Sequence, residues 1–407
     1  MLCASTCTAE AGAALAFGHS CADRIRYLRT EENLSEAAAC HKVAELEFPD
    51  TCGACSPTAG AQRTRQIRFP TLHVLGAEKA ASSSLFGFLQ MHFGLCGSND
   101  PDWHTKEPKV WYNHMALPQA SARDYLSIWS LDKPLENRRR PDDARCFGLV
   151  DGNPARLKSI TAPAALMRFA SAASRSTANL RLVSLLRSPI ARHLSWYNHM
   201  LVEPGQFSWL EPRSCRDKWS PVVRSGMAPS FAEKTQCELD DWQSSCPNGG
   251  VNLTCYSARA RRDATASGVM IGMYLAQLHQ WRGSGWRRDQ MLVLQMERLL
   301  TDPADSLSRL SRFLGFSPPL RANVTLPWWN ELPSACKQRA IECRTRDTLQ
   351  LVYQPWNDAL AKSLARDQLE GAAPESEPAF ITWGDEAVNC TDARKPQVKL
   401  AECRAPP

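Results

Sequence analysis

The sequence predicts an α/β domain built as a three-layer sandwich around a central parallel sheet, and three stretches predict it. FPTLHVLGAEKAASSSLFGFLQMHFG, from Phe69, reads as a short apolar strand, a small-residue loop and an amphipathic helix. LRLVSLLRSPIARHLSWYNHM repeats the order, with an apolar run at 180–186, a breaker at Ser188-Pro189 and helical periodicity through Ile190, Leu194 and Tyr197. QMLVLQMERLL at 290–300 supplies another buried strand, and DPADSLSRLSRFLGF follows as a capped amphipathic helix. Strands that alternate with helices need crossover connections, and those generate parallel sheets.

Length and composition set the frame. A chain of 407 residues with 43% apolar content can bury a substantial core. Its formal charge of +6 is mild and no long Lys/Arg block tracks a nucleic-acid backbone, so a local anion site is expected and no nucleic-acid partner.

Sixteen cysteines are many for this length, and few stand at zinc-ligand spacing. Cys52 and Cys55 form the one close pair, with no second pair and no HxxxH to complete a metal site. Disulfides in an oxidising compartment are therefore expected, and no metal. N-x-[ST] triplets at Asn33, Asn252, Asn323 and Asn389 agree with a lumenal location. No run of eighteen apolar residues spans a membrane, so any membrane association is expected through an N-terminal anchor outside the given sequence.

Along the chain, residues 1–66 are rich in Ala, Cys and small polar residues and read as a Cys-rich stem or cap. Residues 67–365 carry the strand-helix units. Within them, 202–262 is rich in Pro, Ser, Cys and Trp, with Cys215, Cys237, Cys246 and Cys255, and reads as a disulfide-braced insertion of the kind that shapes an acceptor site. Residues 366–407 read as a C-terminal tail.

Two turns carry candidate chemistry. The first runs Gly76-Ala77-Glu78-Lys79-Ala80-Ala81-Ser82-Ser83-Ser84-Leu85. A strand that ends in small residues and opens a helix presents free N–H groups and a positive dipole end to a phosphate, and Lys79 with the serine hydroxyls completes the cradle. The ATP-binding pattern G-x-x-x-x-G-K-[ST] is not met, because Ser82 stands where its lysine belongs; this argues against a magnesium-dependent kinase. The second is Arg187-Ser188-Pro189 with Arg192 and Ser195 on the following helix. An arginine at a strand's carboxyl end and a serine two turns on can meet one phosphate from two sides. Taken singly, each turn also reads as an ordinary capped helix start with solvated basic residues.

Together the two turns resemble the sulfotransferase family. Its 5′-phosphosulfate loop runs approximately G-x-x-K-x-G-T-[ST]-x-L, and its 3′-phosphate motif R-[NDS]-P-x-x-R-x-x-S-x-Y. The second pattern is met throughout, from Arg187 to Tyr197; the first departs at Ala81, where glycine is usual, and at Ser82, where threonine is usual. Further segments extend the likeness to the carbohydrate-directed, heparan-type branch across most of 69–365. Lys106-Glu107-Pro108-Lys109-Val110-Trp111-Tyr112 is similar to its K-E-x-x-[FW]-[FY] segment, and Asp151-Gly152-Asn153-Pro154 to its D-x-[ST]-P turn. GMYLAQLHQW at 272–281 and LVLQMERLLTDPADSLSRLSRFLGF at 292–316 resemble the units that close the sheet. Cys336-Lys337-Gln338-Arg339 through Cys343 resembles its C-terminal disulfide loop, with Gln338 for the glycine of a K-G-R triplet.

The resemblance implies a P-loop-like nucleotide-binding fold and a Golgi-lumen enzyme. Such an enzyme moves a sulfuryl group from 3′-phosphoadenosine 5′-phosphosulfate (PAPS) to a hydroxyl or amine of a glycan, with no metal. It implies Glu107 as general base and Lys79 as the cation at the leaving phosphate. It implies a cofactor site from Gly76, Lys79, Ala80, Ala81, Ser82, Ser83, Ser84, Arg187, Ser195, Lys337 and Arg339. Two alternatives stay open: sulfation of a protein tyrosine or a glycolipid, and a catalytically silent glycan-binding protein on the same fold.

Overall fold

The computed structural model describes residues 69–98, 106–108, 122–129, 148–202, 212–262, 268–315, 337–369, 383, 388–393 and 397–403 of one unit. Of the other it describes residues 3, 13, 15–16, 19–47, 52 and 55. The first unit covers Arg68–Pro407 and the second Met1–Ile67.

The smaller unit holds two helices, Cys21–Thr30 and Glu36–His41, each capped by a serine that accepts from the third residue on, Ser20 from Asp23 and Ser35 from Ala38. Disulfides Cys3–Cys40 and Cys21–Cys52 cross it. Ile25, Leu28 and Val43 fill the little core between these bridges, as expected of a piece too small to fold on apolar burial alone.

In the larger unit five strands form one sheet: β1 (Leu72–Gly76), β2 (Leu95–Cys96), β3 (Gly148–Asp151), β4 (Arg181–Leu186) and β5 (Met291–Gln295). The order is β2-β3-β1-β4-β5, and all the pairings are parallel. The two-residue period of a strand sorts their side chains into two cores. Leu75, Leu182, Leu186 and Val293 face one layer with Phe169, Tyr274 and Trp281, whereas Leu72, Val74, Val183, Leu185, Leu292 and Leu294 face the other with Leu85, Phe88 and Leu310. Helices on both faces of an all-parallel sheet make the three-layer sandwich expected from the alternating units.

A third core lies at the side of the sheet. It joins helix α2 (Pro189–Val202), through Leu194, Tyr197 and Met200, to Phe231, Trp242 and Tyr256 of the 202–262 stretch, and to Tyr353 and Trp356 of the long helix α3 (Cys343–Leu369). Disulfides Cys215–Cys237 and Cys246–Cys255 brace this stretch as predicted. It is mostly helical, with helices at Arg213–Arg224, Phe231–Ser245 and Leu253–Arg262.

Two expectations need correction. Cys343 is bonded to Cys390, so it does not close a short loop with Cys336, which lies outside the described residues. The residues expected as a C-terminal tail also return to the domain: Asn389–Thr391 pairs with Ala340–Glu342, and Val398–Lys399 with Met227–Ala228. Val388, Leu400 and Cys403 enter the third core, which is why this segment is held. Cys52 is bonded to Cys21, in keeping with the expected use of the cysteines in disulfides.

Candidate active site

β1 lies between β3 and β4, so the turns that leave these three strands emerge side by side at the carboxyl edge of the sheet, where open α/β sheets bind ligands. The Gly76–Ser84 loop leaves β1, Asp151-Gly152-Asn153-Pro154 leaves β3 and Arg187-Ser188 leaves β4.

The loop after β1 requires glycine at its first position. Gly76 has φ +149°, and a Cβ there would stand 2.6 Å from the Pro154 carbonyl oxygen and 2.9 Å from Cβ of Leu157. Lys79 and Ala81 follow in the left-handed region, at φ +64° and +60°. Non-glycine residues pay about 1–2 kcal/mol for that conformation. Ala81 is the N-cap of helix α1 (Ser82–Phe93), and its methyl group supplies no side-chain cap. A phosphate at this helix start would meet the dipole's positive end. Ala80, Ser82 and Ser84 are buried, and Ser83 is half-buried.

Several partners hold the strained loop. The Arg187 guanidinium donates to the Lys79 carbonyl over 3.0 Å, which ties the first turn to the second across 108 residues. Lys158 donates to the Glu78 carboxylate over 2.7 Å. The Lys79 and Lys158 ammoniums lie 5.7 and 5.5 Å from the centroid of the Trp196 ring, within cation–π range. Lys106 donates to the Ser82 hydroxyl over 3.3 Å and also pairs with the Glu107 carboxylate. The Lys106-Glu107 segment thereby sits against the loop, and a hydrogen bond of 3.0 Å from the Gly152 amide to the Lys106 carbonyl fixes its backbone. Burial lowers the pKa of Lys106, and the Glu107 charge opposes that shift.

The turn after β4 is built differently. Glu297 accepts from the Ser188 amide over 2.8 Å and from the Trp383 indole over 3.0 Å, and the Tyr274 hydroxyl donates to the Arg187 carbonyl over 2.9 Å. Burial lowers the Arg187 pKa, with Glu297 and Tyr274 opposing. Ser195 is half-buried, two turns along α2. Arg192 is fully buried and donates to the Gly268 carbonyl, and its charge acts on Arg187 and Tyr274.

Beside β1 and β3 lies a buried polar network. Asp151 accepts from the Tyr125 hydroxyl over 2.7 Å and from Arg156 over 3.0 Å, and Arg156 also meets His73 Nδ1 at 2.8 Å. All four side chains are buried, and these bonds offset much of the cost of burying them, although His73 Nε2 has no hydrogen-bond partner. This network fixes the turn after β3, where Asn153 caps the short 3-10 helix Pro154–Arg156 by accepting from the Ala155 amide over 3.0 Å.

Lys337 and Arg339 are exposed. The residue between them is fastened to α2: the Asn198 side chain accepts from the Gln338 amide and donates to the Gln338 carbonyl, both over 3.0 Å. The structure thus links the residues singled out on the β1 loop, the β4 turn, the Lys106-Glu107 segment and the segment at 337–339. Lys106, Lys158, Trp196, Asn198 and Glu297 were not singled out for these roles. Trp196 and Asn198 lie within or beside the Arg187–Tyr197 pattern, but only the tertiary structure brings their partners to them.

Comparison with known proteins follows from this geometry. Residues 156–326 match the family model described as Sulfotransferase domain, a span that contains Arg187 and Ser195. The chain is 22% identical over 262 residues to the bifunctional heparan sulfate N-deacetylase/N-sulfotransferase 1 of Xenopus laevis, which covers 64% of this chain and 24% of that protein. It is 22% identical over 290 residues to the human heparan sulfate glucosamine 3-O-sulfotransferase 3B1, covering 71% of this chain and 56% of the relative. The chain therefore spans about a quarter and about half of the lengths of these two relatives. A sulfotransferase of known structure from Alicyclobacillus acidocaldarius superposes with a TM-score of 0.40 at 18% identity, over 72% of this chain and 95% of that one. Among the described residues no group of His, Cys, Asp and Glu is arranged to hold a metal, and no helix is long and apolar enough to cross a membrane. The turn after β4 lies within the residues that are similar to this family model.

Proposed function

We propose that this chain transfers a sulfuryl group from PAPS to a hydroxyl or amine of a glycan, within the lumen of the secretory pathway. The observation that carries the reading is the Lys106 bridge. One ammonium contacts both Ser82 of the phosphate-type loop and the Glu107 carboxylate, which sets an acid side chain at the edge of an anion site.

In this reading the β1 loop, the uncapped start of α1 and Lys79 hold the 5′-phosphosulfate, while Arg187 and Ser195 hold the 3′-phosphate. Lys337 and Arg339 border the nucleotide. A 3′-phosphate grip separates PAPS from ATP, which lacks that group. Glu107 accepts the acceptor's proton as its oxygen or nitrogen forms the new bond to sulfur. The bond from sulfur to the bridging oxygen breaks in line, and Lys79 neutralises the charge that grows on the departing phosphate. The Lys106 ammonium orients Glu107 before the acceptor arrives.

The names of the relatives support a heparan-type glycan as acceptor. The disulfides support an oxidising compartment, and the exposed Asn33 and Asn389 triplets are open to glycosylation there. The test is incubation of the full chain with sulfur-labelled PAPS and a panel of polysaccharides, a tyrosine peptide and a glycolipid. Label is expected in a polysaccharide; label only in the peptide or lipid would move the acceptor class. No label, with glycan binding retained, would identify a silent binding protein.

A further inference from the structure

We infer that Asn198 is a positioning residue for the nucleotide site, acting through Lys337 and Arg339. This rests on the function proposed above and deepens it, by naming what holds the third wall of the site.

The residues before the strand Ala340–Glu342 have no ladder of their own: among the described residues, that strand begins pairing at Ala340, opposite Asn389. Yet Gln338 has both its amide and its carbonyl engaged, each at 3.0 Å, by a single carboxamide. Asn198 imitates a neighbouring peptide group, presenting one acceptor and one donor at the spacing of a backbone unit. It is itself 5% exposed, so water competes poorly for either bond. The two residues are 140 positions apart, and the pair is a cross-link between α2 and the 337–339 segment.

Position on α2 gives the cross-link its meaning. Ser195 lies three residues before Asn198, so the two occupy the same helix face one turn apart. The β4 turn with Arg187 opens the same helix. Two exposed cations, Lys337 and Arg339, flank the clamped residue and are thereby held alongside the serine and arginine that grip the 3′-phosphate. Without the clamp, each cation must be ordered as the nucleotide binds, and the ordering cost falls on affinity. An aspartate would keep the acceptor and lose the donor, and an alanine would lose both.

The test is isothermal titration of the full chain with adenosine 3′,5′-bisphosphate and with adenosine 5′-monophosphate, which differ only in the 3′-phosphate. Asn198→Ala is expected to weaken the bisphosphate about tenfold, the usual size of one lost positioning contact, and the monophosphate less than about twofold. Asn198→Asp gives an intermediate loss and serves if the alanine variant does not fold. In a Lys337→Ala/Arg339→Ala background, Asn198→Ala should have no further effect, because its action runs through those residues. Equal losses for both nucleotides, an additive loss in that background, or no loss at all would overturn the inference. Failure of the unsubstituted chain to bind the bisphosphate would instead overturn the parent reading, and this one with it.

Discussion

The two turns that leave β1 and β4 lie side by side and reach their shape by opposite means. The β4 turn has no left-handed residue, and its polar groups close on Glu297 and Tyr274. The β1 loop carries Lys79 and Ala81 in left-handed conformation and is steadied from outside, by Arg187, Lys106 and Lys158. Both turns are tied to residues distant in sequence, but only the β1 loop needs left-handed residues to reach its shape. Strain of this kind persists only where the surroundings over-determine the conformation, and it concentrates where ligands are gripped. The loop that would hold the reacting end of the nucleotide is thus the one that depends most on the rest of the fold.

Chemistry should break the symmetry first. Glu107→Gln keeps the shape and removes the proton acceptor, so turnover with PAPS and a glycan acceptor is expected to fall about 10²- to 10⁴-fold. Lys79→Ala should cost about 10²- to 10³-fold in kcat, as the loss of one preorganised charge-stabilising group does elsewhere. In both variants the 3′-phosphate end is untouched, and adenosine 3′,5′-bisphosphate affinity should change far less than rate. Equal losses in binding and rate would mean that the β1 loop only binds.

Acid titration sharpens the comparison at the level of stability. His73 on β1 and His193 on α2 are fully buried, and burial holds both well below their ordinary value of 6.5, with Arg156 adding to the effect on His73 and Lys234 and Arg192 to that on His193. The folded histidines stay neutral while the unfolded ones take up a proton below that value. Stability is therefore undiminished above pH 6.5 and lost as pH falls below it, by about 1.4 kcal/mol per pH unit for each histidine. Urea unfolding at a series of pH values checks this, and replacing either histidine with a non-titrating residue should reduce the slope.

The smallest effect concerns Ala81. Ala81→Gly relieves the left-handed strain but adds freedom to the unfolded chain, so a net gain of up to about 1 kcal/mol is expected from thermal or urea unfolding. A loss of stability would mean that the Ala81 methyl, which packs at the edge of the Leu85 and Phe88 core, outweighs the strain.

The same contrast explains what could be read from the sequence. β1, β4 and β5 are near-continuous apolar runs, as strands buried on both faces of a parallel sheet are, so the sandwich was legible. The β4 turn was legible because its shape is local: Ser188-Pro189 ends the strand and starts the helix. The β1 loop was legible as a small-residue turn from strand to helix, but its supports were not. Lys158 lies 80 residues from Glu78 and Lys106 lies 24 residues from Ser82, and no period or spacing encodes such encounters. The Cys343–Cys390 bond was missed for the same reason, since it depends on the return of residues 389–391 to the strand at 340–342.

The central claim is that the β1 loop and the β4 turn grip opposite ends of one doubly phosphorylated nucleotide. Its most direct test is the affinity of the full chain and of Arg187→Ala for adenosine 3′,5′-bisphosphate against adenosine 5′-monophosphate. The account predicts that the full chain prefers the bisphosphate by tenfold or more, about the 1.4 kcal/mol of one charge-assisted contact, and that Arg187→Ala loses that preference. Equal affinity for the two nucleotides in the unsubstituted chain would contradict it.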